Sequence, residues 1–119
     1  MPMWEELEKY NDLLNKAVVE MKKRSIDLAK KEYLYRTALS KRLVELRAEK
    51  QPVTHLADIA RGEENIAKLR LNRDIAKGLY DSSQEAINMY KIRIRVLENQ
   101  YQREWGQARW KDTYKRRIY

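Results

Sequence analysis

The chain has 119 residues, of which 37% are charged, and its formal net charge is +8. This length accommodates one domain, or a helical element that completes its core with a second chain. The absence of cysteine excludes disulfides and thiolate metal sites, and no apolar run approaches the roughly 20 residues that span a bilayer. With only three glycines and two prolines, the composition predicts long helices with few corners.

The first predicted element is a helix over residues 4–50. Pro2 and the glutamates that follow it favour a helix N-terminus. Pro52 stops the helix, because proline donates no N–H and disfavours helical backbone at the preceding residue. A heptad spacing, typical of a coiled-coil contact face, relates Leu7, Leu14, Met21, Leu28 and Tyr35.

A corner with a short helix follows over residues 51–62, within the stretch "QPVTHLADIARG". Thr54 is a residue type that accepts a hydrogen bond at a helix N-terminus, and we expect it to cap this short helix. Gly62 is expected to end the helix in the left-handed conformation.

The second long helix is predicted over residues 63–105, with Gly106 ending it and a basic aromatic tail over 106–119. The stretch "YKIRIRV" alternates apolar and basic residues like a strand. The helical pattern around it is longer and keeps its phase, so we interpret the stretch as helix. The heptad pattern of this helix has eleven positions, and nine of them are apolar or aromatic. The eleven residues are Ile66, Leu69, Arg73, Ala76, Tyr80, Ser83, Ile87, Tyr90, Ile94, Leu97 and Tyr101.

The predicted fold is therefore all-α: a single elongated antiparallel hairpin of two long helices, coiled-coil-like, joined by the short helical corner. Each long helix also carries a second row of apolar residues away from its main contact face. Two apolar rows on one helix indicate a contact beyond the hairpin partner. We predict a homo-oligomer, most simply a dimer forming a four-helix bundle, with an interface formed by Val19, Ile26, Tyr33, Met89, Ile92 and Val96.

Catalytic and metal-binding patterns are not found in the sequence. His55 is the single histidine, and no cysteine is present for it to activate. Neither an HExxH motif nor a glycine-rich phosphate loop occurs. We expect a protein that is not an enzyme and that uses no cofactor or metal.

The last residues, "REWGQARWKDTYKRRIY", combine aromatic and basic side chains and hold a net charge of +4. Basic groups neutralise phosphates, and aromatic rings stack on unpaired bases. The same composition suits a protein interface, whereas an anionic membrane surface fits less well because no long apolar face accompanies it. In another interpretation, Trp105 and Trp110 seal the end of the bundle against the first four residues. The predicted binding residues are Arg103, Arg109, Trp110, Lys111, Tyr114, Lys115, Arg116 and Arg117.

The stretch over about residues 56–106 resembles small helical-hairpin accessory proteins of unassigned role from tailed phages or prophages of Gram-positive bacteria. The resemblance rests on "LADIARG", "LYDSSQEAI" and "QREWG". It implies a non-enzymatic accessory protein of the bacterial cytoplasm and supplies no active-site residues.

Three functions remain open from the sequence. The favoured one is an accessory protein that binds nucleic acid or a nucleic-acid-processing protein through its basic, aromatic C-terminal surface. The second is an anti-CRISPR-like inhibitor of a host defence nuclease that acts by protein–protein contact. A DNA mimic would be acidic, so such an inhibitor would use another mode of binding. The third is a structural component of a phage particle.

Overall fold

The computed structural model describes the backbone of residues 2–118 and the side chains of residues 2–107. The described residues form three α-helices, α1 (Met3–Ala48), α2 (Leu56–Gly62) and α3 (Glu64–Ile118), and a 3₁₀ helix, Val53–His55. Across the corner, α1 and α3 are antiparallel, since Glu32 pairs with Arg73 and Arg42 pairs with Glu63. The described residues contain no strand. The predicted all-α helical hairpin is confirmed.

The first helix begins where proline and acidic residues predict it. The Pro2 carbonyl accepts the backbone N–H groups of Glu5 and Glu6 at 3.1 and 3.2 Å, so Pro2 stands just before the first helical turn. Both glutamates lie in that turn, where negative charge interacts favourably with the unpaired N–H groups of the helix end.

A two-bond cap ends α1 two residues earlier than predicted. The Gln51 N–H donates to the Leu46 carbonyl at 3.3 Å, and the Lys50 N–H donates to the Arg47 carbonyl at 3.1 Å. These two bonds define a Schellman motif, whose turning residue adopts the left-handed conformation and is most often glycine. Here that residue is Lys50, with a φ of 60°. A lysine therefore occupies a position where a side chain opposes the required backbone conformation.

Replacing Lys50 by glycine is expected to raise the free energy of unfolding by about 1 kcal/mol, because glycine adopts positive φ without the steric cost of a Cβ atom. Urea unfolding followed by circular dichroism measures this change. Lys50→Ala is the matched control, since alanine removes the charge and keeps the Cβ. An equal gain in the alanine variant would assign the effect to the lost charge instead.

The corner differs from the prediction at both ends of α2. His55 precedes the helix and no side chain caps it, so the predicted role of Thr54 is wrong; Thr54 lies in the 3₁₀ helix. The prediction of a left-handed conformation at Gly62 is also wrong, because Gly62 is the last helical residue and no described glycine has positive φ. The chain turns at Glu63, which is extended with φ −70° and ψ 139°. Its N–H donates to the Ala60 carbonyl and its carbonyl accepts from Ala67, so one residue ends α2 and begins α3.

The helix α3 does not end at Gly106 as predicted but continues to Ile118. A single glycine inside a helix costs about 1 kcal/mol relative to alanine, which weakens a helix without breaking it. Residues 106–118 of the predicted tail are thus part of the backbone of α3.

The helices divide into two compact units, and Glu20–Gln84 forms unit 2. Leu46, Leu56 and Ala60 form a buried cluster at its corner, and Leu39 and Leu43 pack against that cluster. The main contact face of α3 continues in this unit with the buried residues Ile66 and Ala76. These positions belong to the predicted heptad pattern.

Unit 1 consists of Met1–Val19 and Glu85–Tyr119. The ring centroids of Tyr10 on α1 and Tyr90 on α3 lie 6.3 Å apart with the rings tilted by 46°, a separation at which aromatic pairs attract. The guanidinium of Arg93 lies 5.7 Å from the Tyr10 ring. Among the described side chains of α3 in this unit, those of Ile87, Ile94 and Leu97 are buried.

Candidate nucleic-acid interface

The described start of the C-terminal basic segment is exposed. Trp105 is 59% exposed, and Arg103 and Tyr101 are also exposed. Trp4 is 59% exposed as well. The interpretation in which Trp105 seals the bundle against the chain start is therefore wrong, because a sealing indole would be buried. Trp105 is free to contact a partner.

The other predicted binding residues follow along the same helix. Their backbone is helical as far as Ile118, whereas their side chains lie outside the described part of the structure. This applies to Arg109, Trp110, Lys111, Tyr114, Lys115, Arg116 and Arg117. A shared role for them remains a prediction.

The basic cluster midway along α1 is partly neutralised by carboxylates. In the cluster around "MKKRS", Arg24 pairs with Glu20 at 2.9 Å, and Lys31 lies 4.0 Å from Asp27. Such exposed pairs contribute little to stability, but they lower the local positive charge that a polyanion would meet. This cluster therefore competes poorly with the C-terminal segment as a nucleic-acid site.

Arg73 shows what a charged residue does at a predicted contact position of α3. Its guanidinium lies 4.7 Å from the ring centroid of the buried Tyr35, and its Nε lies 3.5 Å from Glu32. Nε and Nη2 both donate to Asp74. The hydrogen bond to Asp74, together with the charges of Asp74 and Glu32, raises the pKa of Arg73 above its ordinary value. Arg73 is thus committed to the packing of unit 2.

Arg42 links α1 to the turn between α2 and α3. Its Nε donates to both carboxylate oxygens of Glu63 at 2.7 and 2.9 Å, and its Nη1 donates to Glu45 at 3.1 Å. The hydrogen bonds to Glu63 and then Glu45 raise the pKa of Arg42 above its ordinary value. This contact was not predicted. Its only indication in the sequence is that the charged residue Arg42 interrupts the apolar row of α1.

The six residues of the predicted oligomer interface are all exposed within one chain. On α3, Met89, Ile92 and Val96 are 68%, 60% and 49% exposed. On α1, Val19, Ile26 and Tyr33 are similarly exposed. Their burial by a second chain remains a prediction.

Two further properties concern only the described residues. Within them, no group of three His, Asp or Glu side chains is arranged to hold a metal ion. None of their helices combines the length and the apolar character needed to cross a membrane.

Comparison with known proteins gives no match to this chain: no family model, no curated protein and no solved structure matches it. The resemblance to phage accessory proteins therefore remains a prediction.

Proposed function

We propose that this protein is a non-enzymatic, phage-type accessory protein that binds nucleic acid through the C-terminal part of α3. The binding surface, here called the basic aromatic segment, comprises residues 103–119. A nucleic-acid-processing protein is the alternative partner of the same surface.

The observation that carries the proposal is the exposure of Trp105 near the start of this segment, two residues after the exposed Arg103. An indole exposed to water has an unfavourable hydration free energy, which a folded chain ordinarily avoids by burying the ring. Stacking on an unpaired base would cover its face, and basic side chains of the segment would neutralise phosphates. The segment also carries a net charge of +4, which is half of the net charge of the chain.

A fluorescence anisotropy titration of labelled single- and double-stranded oligonucleotides tests this proposal. We expect the affinity to fall by a factor of about 10² or more between about 50 mM and about 200 mM salt, since several phosphate contacts release counterions. A preference for single strands would show that the aromatic side chains take part. No binding at the lower salt concentration would refute nucleic-acid binding and favour a protein partner, such as the nuclease bound by an anti-CRISPR-like inhibitor.

Trp110→Ala is expected to lower the affinity for single strands by about 10-fold or more, because stacking on one base contributes about 1–3 kcal/mol. Helicity should be preserved, since alanine is the better helix former. Trp4→Ala is the matched control: it removes an exposed indole outside the segment and should leave the affinity unchanged. Equal losses in the two variants would remove Trp110 from the proposed site.

A further inference from the structure

The part of α3 that lies in unit 1 has two apolar faces. Residues of the same chain cover one face, and the other face is exposed. Tyr90 contacts α1 through Tyr10, and the neighbouring contact positions Ile94 and Leu97 are buried. On the other side of the helix, Met89, Ile92 and Val96 are exposed. Their spacing of three and then four residues makes one continuous row along an α-helix.

The same spacing continues beyond these three residues. Four positions before Met89 the row reaches Glu85, and after Val96 it reaches Asn99 and then Arg103. All three of these residues are exposed. Here this set is called the outer row. It is apolar in the middle, acidic at its start and basic at its end, and neither terminal charge takes part in an ion pair within the described part of the chain.

We infer that the outer row binds the outer row of a second copy of this chain in antiparallel orientation. With the two-fold axis at the level of Ile94, Ile92 of one protomer faces Val96 of the other. Met89 faces Asn99, and Glu85 faces Arg103, and each contact occurs twice because a two-fold interface is self-complementary.

Charge selects the antiparallel orientation. In a parallel dimer with matching positions, Glu85 would face Glu85 and Arg103 would face Arg103. Like charges placed opposite each other destabilise an interface, whereas opposite charges at its edge determine orientation and register. The antiparallel arrangement converts both repulsive pairs into attractive ones.

The exposed row on α1 is a poorer candidate for this contact. Val19, Ile26 and Tyr33 are spaced by seven residues, so they supply only one of the two positions that a helix contributes per heptad. The positions three and four residues after Val19 are the exposed Lys22 and Lys23. Two desolvated lysines would oppose the association.

Arg95 opposes the proposed dimer and provides an independent test of its register. It lies at the edge of the outer row, one residue from the level of the two-fold axis. The two copies of Arg95 therefore lie near each other in the proposed dimer. We expect Arg95→Ala to strengthen the association, because it removes this repulsion. A weaker association in this variant would overturn the proposed register.

Sedimentation equilibrium of the full chain, over a range of protein concentrations, measures the dimer directly. Glu85→Arg should raise the dissociation constant about 10-fold or more, because it places two arginines opposite each other at both ends of the interface. Arg103→Glu should act similarly. The double variant Glu85→Arg with Arg103→Glu restores both pairs and should recover the wild-type dissociation constant.

Glu98→Arg is the matched control, since it makes the same charge change on an exposed residue of α3 outside the outer row. It should leave the dissociation constant unchanged, and circular dichroism checks that each variant keeps its helicity. Wild-type protein that sediments as one chain throughout would overturn the inference, as would a double variant that stays weak. The inference goes beyond the proposed function, and because sedimentation needs no oligonucleotide, it can fail while nucleic-acid binding stands.

Discussion

Replacing four basic residues of the basic aromatic segment by alanine is expected to lower oligonucleotide affinity about 100-fold at about 0.1 M salt. The variant is Arg109→Ala, Lys111→Ala, Arg116→Ala and Arg117→Ala. Each phosphate contact contributes nearly one unit to the slope of log affinity against log salt concentration. If half of the removed charges contact phosphate, the affinity changes by about two orders of magnitude and the slope falls by about two.

The matched control removes the same number of charges elsewhere. Lys22, Lys23, Lys30 and Lys41 are all exposed on α1, and their fourfold alanine variant has the same net charge as the first. If net charge alone attracts the nucleic acid, both variants lose affinity equally. If the segment is the site, the control keeps most of its affinity and its salt slope. Equal losses would therefore contradict the proposed location.

Leu46→Ala is expected to lower the free energy of unfolding by about 2–5 kcal/mol, a range typical of a buried leucine that leaves a cavity. Leu46 is 2% exposed and forms the buried cluster at the corner together with Leu56 and Ala60. Domains of this size are stabilised by about 5–15 kcal/mol in total. The loss is therefore a large fraction of the stability.

Val44→Ala is the matched control, because Val44 lies on the same helix and is 68% exposed. Its effect should stay within about 0.5 kcal/mol. Urea unfolding of both variants at one protein concentration gives the comparison, since self-association would otherwise shift the midpoint. A loss below about 1 kcal/mol for Leu46→Ala would show that the corner cluster is not tightly packed.

The long helices could be predicted from the sequence because their apolar residues keep one phase over many turns. Ile66, Ala76 and Ile94 were expected on the contact face and are buried. The corner was predicted less well, because its geometry depends on few residues. Lys50 takes the left-handed conformation usually occupied by glycine, while Gly62 remains helical. Residue type alone could not predict that Lys50, and not Gly62, is left-handed, since the hydrogen bonds around the turn determine which residue adopts positive φ.

Polar residues at contact positions were the least predictable part of the molecule. Arg73 and Ser83 break the apolar pattern of α3, and only the structure shows how each is accommodated. Arg73 lies over the ring of Tyr35. The Ser83 hydroxyl donates to the Leu79 carbonyl at 3.1 Å, a bond within its own helix that satisfies a half-buried hydroxyl. The contact between Arg73 and Tyr35 joins residues with no regular spacing in the sequence, so periodicity does not reveal it.

The buried cluster at the corner has a consequence for how the chain folds. Leu46, Leu56 and Ala60 lie on either side of one short connection, so bringing them together closes only a small loop. Small loops have the lowest entropic cost of closure, and folds dominated by such local contacts form fast. We expect folding to start at this cluster, and the packing of α1 against α3 farthest from the corner to form last. Amide hydrogen exchange should accordingly be slowest around Leu46 and Leu56 and become faster toward the start of α1.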